Sequence, residues 1–197
     1  MKHLKMVVTV AMTAMAAFAV LGGSSASATT LEVGGVPKNE AVTIVGSLAS
    51  GSSLLLTTTD GFFANTCTVF EIAGTAVSPF TATKVTGSGK TLKFGGCTEE
   101  PVTADRTGTL VGEHIAGTTN ATMFSVGAQV TTPSPFGTLT CTTASSPGTH
   151  LGLLKGSATG HATLYINAVI NCGFFLPSAK MAGTATVTSP TGVGATA

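Results

Sequence analysis

Tryptophan is absent from this chain, and tyrosine occurs once, at Tyr165. Saccharide binding on flat aromatic platforms therefore has little to build on. Charge is equally scarce. Lys, Arg, Asp and Glu make up 9% of the 197 residues, against about a quarter in ordinary globular chains. No basic stripe exists, which argues against nucleic acid as a partner. No cysteine pair has the C-x-x-C spacing of a zinc site, and no G-x-S-x-G elbow marks a serine nucleophile. Glu99-Glu100 lacks the dense Asp/Asn/Gly loop that calcium requires, so it reads as a charged turn. Beyond residue 22 no apolar run is long enough to span a bilayer as a helix, and no window carries a 3.6-residue apolar stripe.

What is present begins with the N-terminus. Lys2 and Lys5 precede an apolar stretch from Met6 to Gly22, and Ala26-Ser27-Ala28 follows. Basic, apolar and small residues in that order are the pattern of a secretory signal, with a cut after Ala28. The expectation is a signal helix over residues 1–28 and a secreted or extracellular β-domain over residues 29–197, with no transmembrane anchor in the mature chain. Loss of Lys2 and Lys5 leaves seven basic against eight acidic side chains, a formal charge of −1. A surface whose polarity rests on Thr, Ser and Gly is weakly protected against association. The expected partners are accordingly cell-envelope or matrix components, or a second copy of the chain.

The stretch VTGSGKT, Val85 to Thr91, imitates a phosphate loop. The motif needs a glycine separated by four residues from the Gly-Lys-Thr, and Lys84 stands there. It also needs a following helix to hold the anion, whereas Thr91-Leu92-Lys93-Phe94 alternates with period two. No nucleotide is expected. The stretch reads instead as a hairpin turn, Thr86-Gly87-Ser88-Gly89, between two strands.

Four cysteines, Cys67, Cys97, Cys141 and Cys172, form an even set in an exported chain and read as two disulfides. Their spacings repeat at 30 and 31 positions. Thr66-Cys67-Thr68 matches Thr140-Cys141-Thr142. Gly108-Thr109-Leu110-Val111 and Gly183-Thr184-Ala185-Thr186-Val187 both follow eleven positions after the second cysteine of a pair. An internal repeat of about 54–115 and 130–188 is the expected organisation. Two copies of one unit close their bridges alike, which predicts Cys67–Cys97 and Cys141–Cys172.

Short alternating runs recur between Gly, Pro, Ser and Asn. They are Glu40–Leu48, Leu54–Thr59, Cys67–Ile72, Phe80–Val85, Thr91–Phe94, Thr107–Ile115, Ala121–Val130, Gly137–Thr142, Leu151–Gly156, Ala162–Cys172 and Lys180–Thr188. In the clearest, Ala162, Leu164, Ile166, Ala168 and Ile170 face one way. Evenly spaced short strands predict an all-β fold, an antiparallel sandwich or barrel built from two similar halves.

Candidate chemistry is thin. Glu113-His114 and Asp105 suggest a triad, but adjacent strand residues face opposite sides, so Glu113 does not orient His114. His150 and His161 have no third ligand beside them. Neither a catalytic set nor a metal site nor a cofactor is expected. Two phenylalanine pairs, Phe62-Phe63 and Phe174-Phe175, are candidates for apolar contact, because in a strand one of each pair faces outward. Core packing is the competing reading.

The segments Leu31 to Gly35, Pro133 to Cys141 and Ile166 to Lys180 resemble an uncharacterised family of secreted actinobacterial proteins, which has no known active site to carry over. The export signal, Thr-rich strands and cysteine use bear a more distant likeness to the secreted bacterial activator of alkane oxidation. The function expected from the residues is non-catalytic, acting at the cell surface or matrix by protein or apolar-surface contact. The alternative is a binding protein or sensor for a hydrophobic small molecule such as a hydrocarbon or lipid, and an enclosed apolar cavity would distinguish it. A secreted hydrolase is the third reading.

Overall fold

The computed structural model describes residues 28–135, 137–173 and 178–197. The signal segment, apart from Ala28, lies outside the described residues. Among the described residues the chain is all β. Its strands are β1 (Thr30–Val33), β2 (Val36–Lys38), β3 (Val42–Leu48), β4 (Leu54–Thr58), β5 (Ala64–Val77), β6 (Val85–Cys97), β7 (Thr103–Arg106) and β8 (Thr109–His114). They continue with β9 (Ala121–Val126), β10 (Gln129–Ser134), β11 (Gly137–Thr142), β12 (Thr149–Lys155), β13 (Thr163–Asn171), β14 (Ser178–Ser189) and β15 (Val193–Thr196).

Eight lanes close on themselves as an antiparallel barrel in the order β4, β5, β6, β8, β9, β12, β13, β14. β3 and β4 share one lane. β3 pairs with the upper parts of β14 and β5, and β4 pairs with their lower parts. Closure removes free sheet edges from the barrel wall. A separate three-stranded sheet covers one end and an extension of the barrel sheet covers the other. At the upper end β1 pairs with both β15 and β2, away from the barrel ladder. At the lower end β7, β10 and β11 form a flap joined to β13 through the single pair Thr142–Asn171.

The sequence explains the barrel's inside and outside. Along β13, Leu164, Ile166, Ala168 and Ile170 are buried while Tyr165 and Val169 are exposed, as period-two alternation requires. The outer face carries Glu71 paired with Lys93 (3.6 Å), and Lys84 with Glu113 (2.7 Å). The inner face is apolar, the reverse of the arrangement in barrels that hold water-filled pores through membranes.

Both disulfides lie in the lower half: Cys67–Cys97 and Cys141–Cys172. The two bridged segments are built differently. Cys67 and Cys97 are register partners in the adjacent strands β5 and β6. The Cys141–Cys172 bridge encloses β12 and β13 and ties the flap strand β11 to the end of β13.

Three expectations are corrected, the first being the run Phe80–Val85, of which residues 80–84 are no strand but the connection between β5 and β6. The VTGSGKT stretch is no hairpin turn, because β6 runs unbroken from Val85 to Cys97. Its ladder to β5 is continuous except for a bulge beside Gly74, and tertiary pairing on both edges overrides the turn preference of glycine. The single run Ala121–Val130 divides into β9 and β10 at Gly127, whose φ of 67° suits a turn.

Candidate functional site: an apolar cavity in the barrel

The two halves of the barrel differ in what fills them. In the lower half, bulky side chains meet. Phe70 and Phe94 are register partners with ring centroids 5.6 Å apart, and Leu54, Ile166 and Ile170 pack with them. Toward the upper end the inward positions shrink. β5 passes from Phe70 to Ile72, Gly74 and Ala76; β6 offers Val85, Gly87 and Gly89; β3 offers Ile44 and Gly46; β8 offers Leu110 and Gly112. Small residues on neighbouring strands leave a cavity of about 130 Å³. Met123, Leu154, Leu164, Ala185 and Val187 also line it, with Thr75, Ser88 and Thr186 as its hydroxyl-bearing residues. An eight-stranded barrel is wide enough to be packed solid by side chains or to hold one small ligand. Here the lower half follows the first course and the upper half the second.

The upper sheet roofs this cavity. Leu31 from β1, with Val193 and Ala195 from β15, are buried and line it from above. β15 is held by hydrogen bonds from Ser157 N–H to Val193 O (3.0 Å) and from Ala195 N–H to Thr119 O (3.0 Å). Thr29 anchors β1. Its N–H donates to Ala82 O, its carbonyl accepts the hydroxyl of the buried Ser78 (2.6 Å), and its hydroxyl oxygen accepts from His114 N–H.

Among the described residues no titratable side chain lines the cavity. The described lining is predominantly apolar, a surface that suits an uncharged apolar molecule. A buried carboxylate or ammonium would find no counter-charge there, and the desolvation cost would exclude it.

The glycines differ in why they are there. A side chain on Gly74 would collide with the Ser88 carbonyl, so the close approach of β6 requires glycine. Gly87 is under no such demand. A Cβ there would meet nothing closer than 3.8 Å. At Gly112 the nearest atom would be Met123 Sδ at 3.4 Å. The backbone at both positions is ordinary strand, open to any residue.

The residues singled out from sequence fall elsewhere. Phe62 is 62% exposed at the β4–β5 turn, and Phe63 is buried in the lower core. Phe174 and Phe175 lie outside the described residues. His114 Nε2 is 2.7 Å from Thr118 O at the upper end. Asp105 accepts the hydroxyls of Thr103 and Thr131 on the lower flap, so the structure does not bring the two together. His150 stacks edge-on against Phe124, and His161 Nδ1 is 2.8 Å from Val187 O. Among the described residues no cluster of three His, Cys, Asp or Glu could hold a metal. Sequence reasoning missed the cavity. Its one local signal is the glycine spacing at positions 87 and 89, which in sequence reads as a turn.

Among family models, curated proteins and solved structures, none matches this chain.

Proposed function

We propose that this is an exported, non-catalytic binding protein that encloses a small uncharged apolar molecule in the upper half of its barrel. The observation that supports the reading is a cavity kept open by glycines that sterics does not require. An unfilled apolar cavity of 130 Å³ costs a protein on the order of 3 kcal/mol. Glycine inside a strand adds a conformational penalty of its own. A methyl group at Gly87 would relieve both without a clash. An interior serving stability alone would be filled. The volume is close to that of cavities that stay dry and take up benzene or xenon, about 150 Å³, so the fitting class is a compact hydrocarbon-like molecule. Export draws support from the signal pattern and from two disulfides, which persist in oxidising compartments.

Contact through the outer surface, the other reading drawn from sequence, has less to recommend it. Among the described residues the most exposed apolar side chains, Phe62, Val169, Phe80 and Val36, stand on different elements: the β4–β5 turn, β13, the β5–β6 connection and β2.

The test is a titration of the oxidised chain (residues 29–197) with benzene, toluene, cyclohexane and hexane, followed by methyl NMR. Saturable shifts are expected at Ile44, Ile72, Leu110 and Met123. Gly87→Val is expected to weaken binding at least about tenfold while leaving Tm equal or higher, because it fills space that no atom occupies. Absence of saturable shifts for every ligand, or unchanged binding in a folded Gly87→Val protein, would refute the reading.

A further inference from the structure

A second site lies on the lower flap and owes nothing to the cavity. The chain has one arginine and one glutamine, Arg106 and Gln129, and the fold pairs them. Arg106 on β7 is the register partner of Gln129 on β10. Gln129 is the partner of Thr142 on β11, and Thr142 is the partner of Asn171 on β13. Directly paired residues in an antiparallel sheet point to the same face. Four polar side chains from positions 106, 129, 142 and 171 therefore stand in one row across four strands, a span of roughly 14 Å.

The hydrogen bonds decide what this row offers. Arg106 Nε–H donates to Gln129 Oε1 (3.0 Å). That uses the acceptor end of the glutamine and leaves its amide NH₂ without a partner among the described residues. Asn171 Oδ1 accepts from Gly173 N–H (2.9 Å), and its NH₂ likewise has no partner among the described residues. The terminal nitrogens of Arg106 and the hydroxyl of Thr142 have no partner among the described residues. Both amides thus have their oxygens engaged, and the row presents donors: guanidinium N–H, two amide NH₂ groups and a hydroxyl. Arg106, Thr142 and Asn171 line an open cleft of about 430 Å³, together with Thr143, Ser145 and Thr149. No carboxylate lines it. Asp105, the sequence neighbour of Arg106, is engaged by the hydroxyls of Thr103 and Thr131.

We infer that this cleft binds an oxyanion, a carboxylate, sulfate or phosphate group, with Arg106 as its charged anchor. A planar guanidinium with free terminal N–H groups is suited to paired hydrogen bonds with such groups. The flanking amides and hydroxyls supply neutral donors in the geometry that the sheet register imposes. The cleft exceeds the size of the anion alone, which leaves room for an organic group that carries it.

The experiment titrates the oxidised chain with inorganic phosphate, sulfate, acetate and an oligouronate, in separate arms at low ionic strength, and follows backbone and side-chain amide NMR. Saturable shifts at Arg106, Gln129, Thr142 and Asn171 are expected in at least one arm, and the strongest arm identifies the source of the oxyanion. Arg106→Gln is expected to lower that affinity at least about tenfold. Asn171→Asp keeps the acceptor for Gly173 N–H but replaces the amide donor with a negative charge, and is expected to do the same. Both variants should retain the wild-type Tm, since they change exposed side chains. No saturable shift in any arm, or equal affinity in folded Arg106→Gln and Asn171→Asp proteins, would overturn the assignment.

Discussion

Asn65 shows how one side chain can join parts of this molecule that are remote in sequence. It is buried beside the lower core. Its Nδ2 donates to Glu99 O (2.8 Å) and Thr132 Oγ1 (2.9 Å), and its Oδ1 accepts from the Thr98 hydroxyl (2.9 Å) and Glu99 N–H (3.1 Å). All four hydrogen-bonding positions of the amide are filled. One residue of β5 therefore fixes the turn after β6 and the flap strand β10. Asn65→Ala leaves the Glu99 backbone groups and the buried Thr132 hydroxyl without their partner, and is expected to cost about 2–4 kcal/mol. Urea denaturation with an unchanged m-value would show it. The sequence carried a faint sign of this. Asn65 lies two residues before Cys67 and so shares its inward face, where a polar side chain must find partners. What those partners are depends on segments 34 and 67 positions away, beyond any local pattern.

At the scale of elements, the flap of β7, β10 and β11 is attached differently from the barrel strands. It meets β13 through one register pair, reinforced by the Cys141–Cys172 bridge and by the Asn65–Thr132 bond. The Cys67–Cys97 bridge instead joins two strands that already share a long ladder. Replacing Cys141 and Cys172 together with alanine is therefore expected to loosen the flap first. A disulfide closing a loop of this length is worth about 2–4 kcal/mol. Native-state hydrogen exchange should speed up in β10 and β11 well before β5 or β14, because regions with few contacts open locally. Binding at the Arg106 cleft should weaken in that variant while binding in the upper cavity is kept. Sequence alternation revealed most barrel strands, since each half-buried strand writes its period into its own residues. It did not reveal β1, β2, β7 or β15. These are three or four residues long, too short for a period to show, and they exist because a neighbour supplies their pairing.

For the molecule as a whole, two proposed sites at opposite ends imply opposite responses to solution conditions. Among the described residues no titratable group lines the cavity, so affinity for an apolar ligand is expected to be flat from pH 5 to 8 and insensitive to salt. The Arg106 cleft is open and electrostatic, so its affinity should fall as salt shortens the Debye length from about 10 Å at 0.1 M to about 3 Å at 1 M. Calorimetric titrations at two salt concentrations separate the two sites, and a salt-dependent cavity would count against an uncharged ligand. The sequence alone determined the β character of this protein and the even cysteine set, because period-two alternation and cysteine count reside in the chain itself. Closure of the barrel decided the rest. Gly46, Gly74, Gly87 and Gly112 sit on four strands, and they make a cavity only because register sets them around one level of the interior. Arg106, Gln129, Thr142 and Asn171 make a donor row for the same reason: strand register is settled by long-range pairing, and no short window of sequence encodes it.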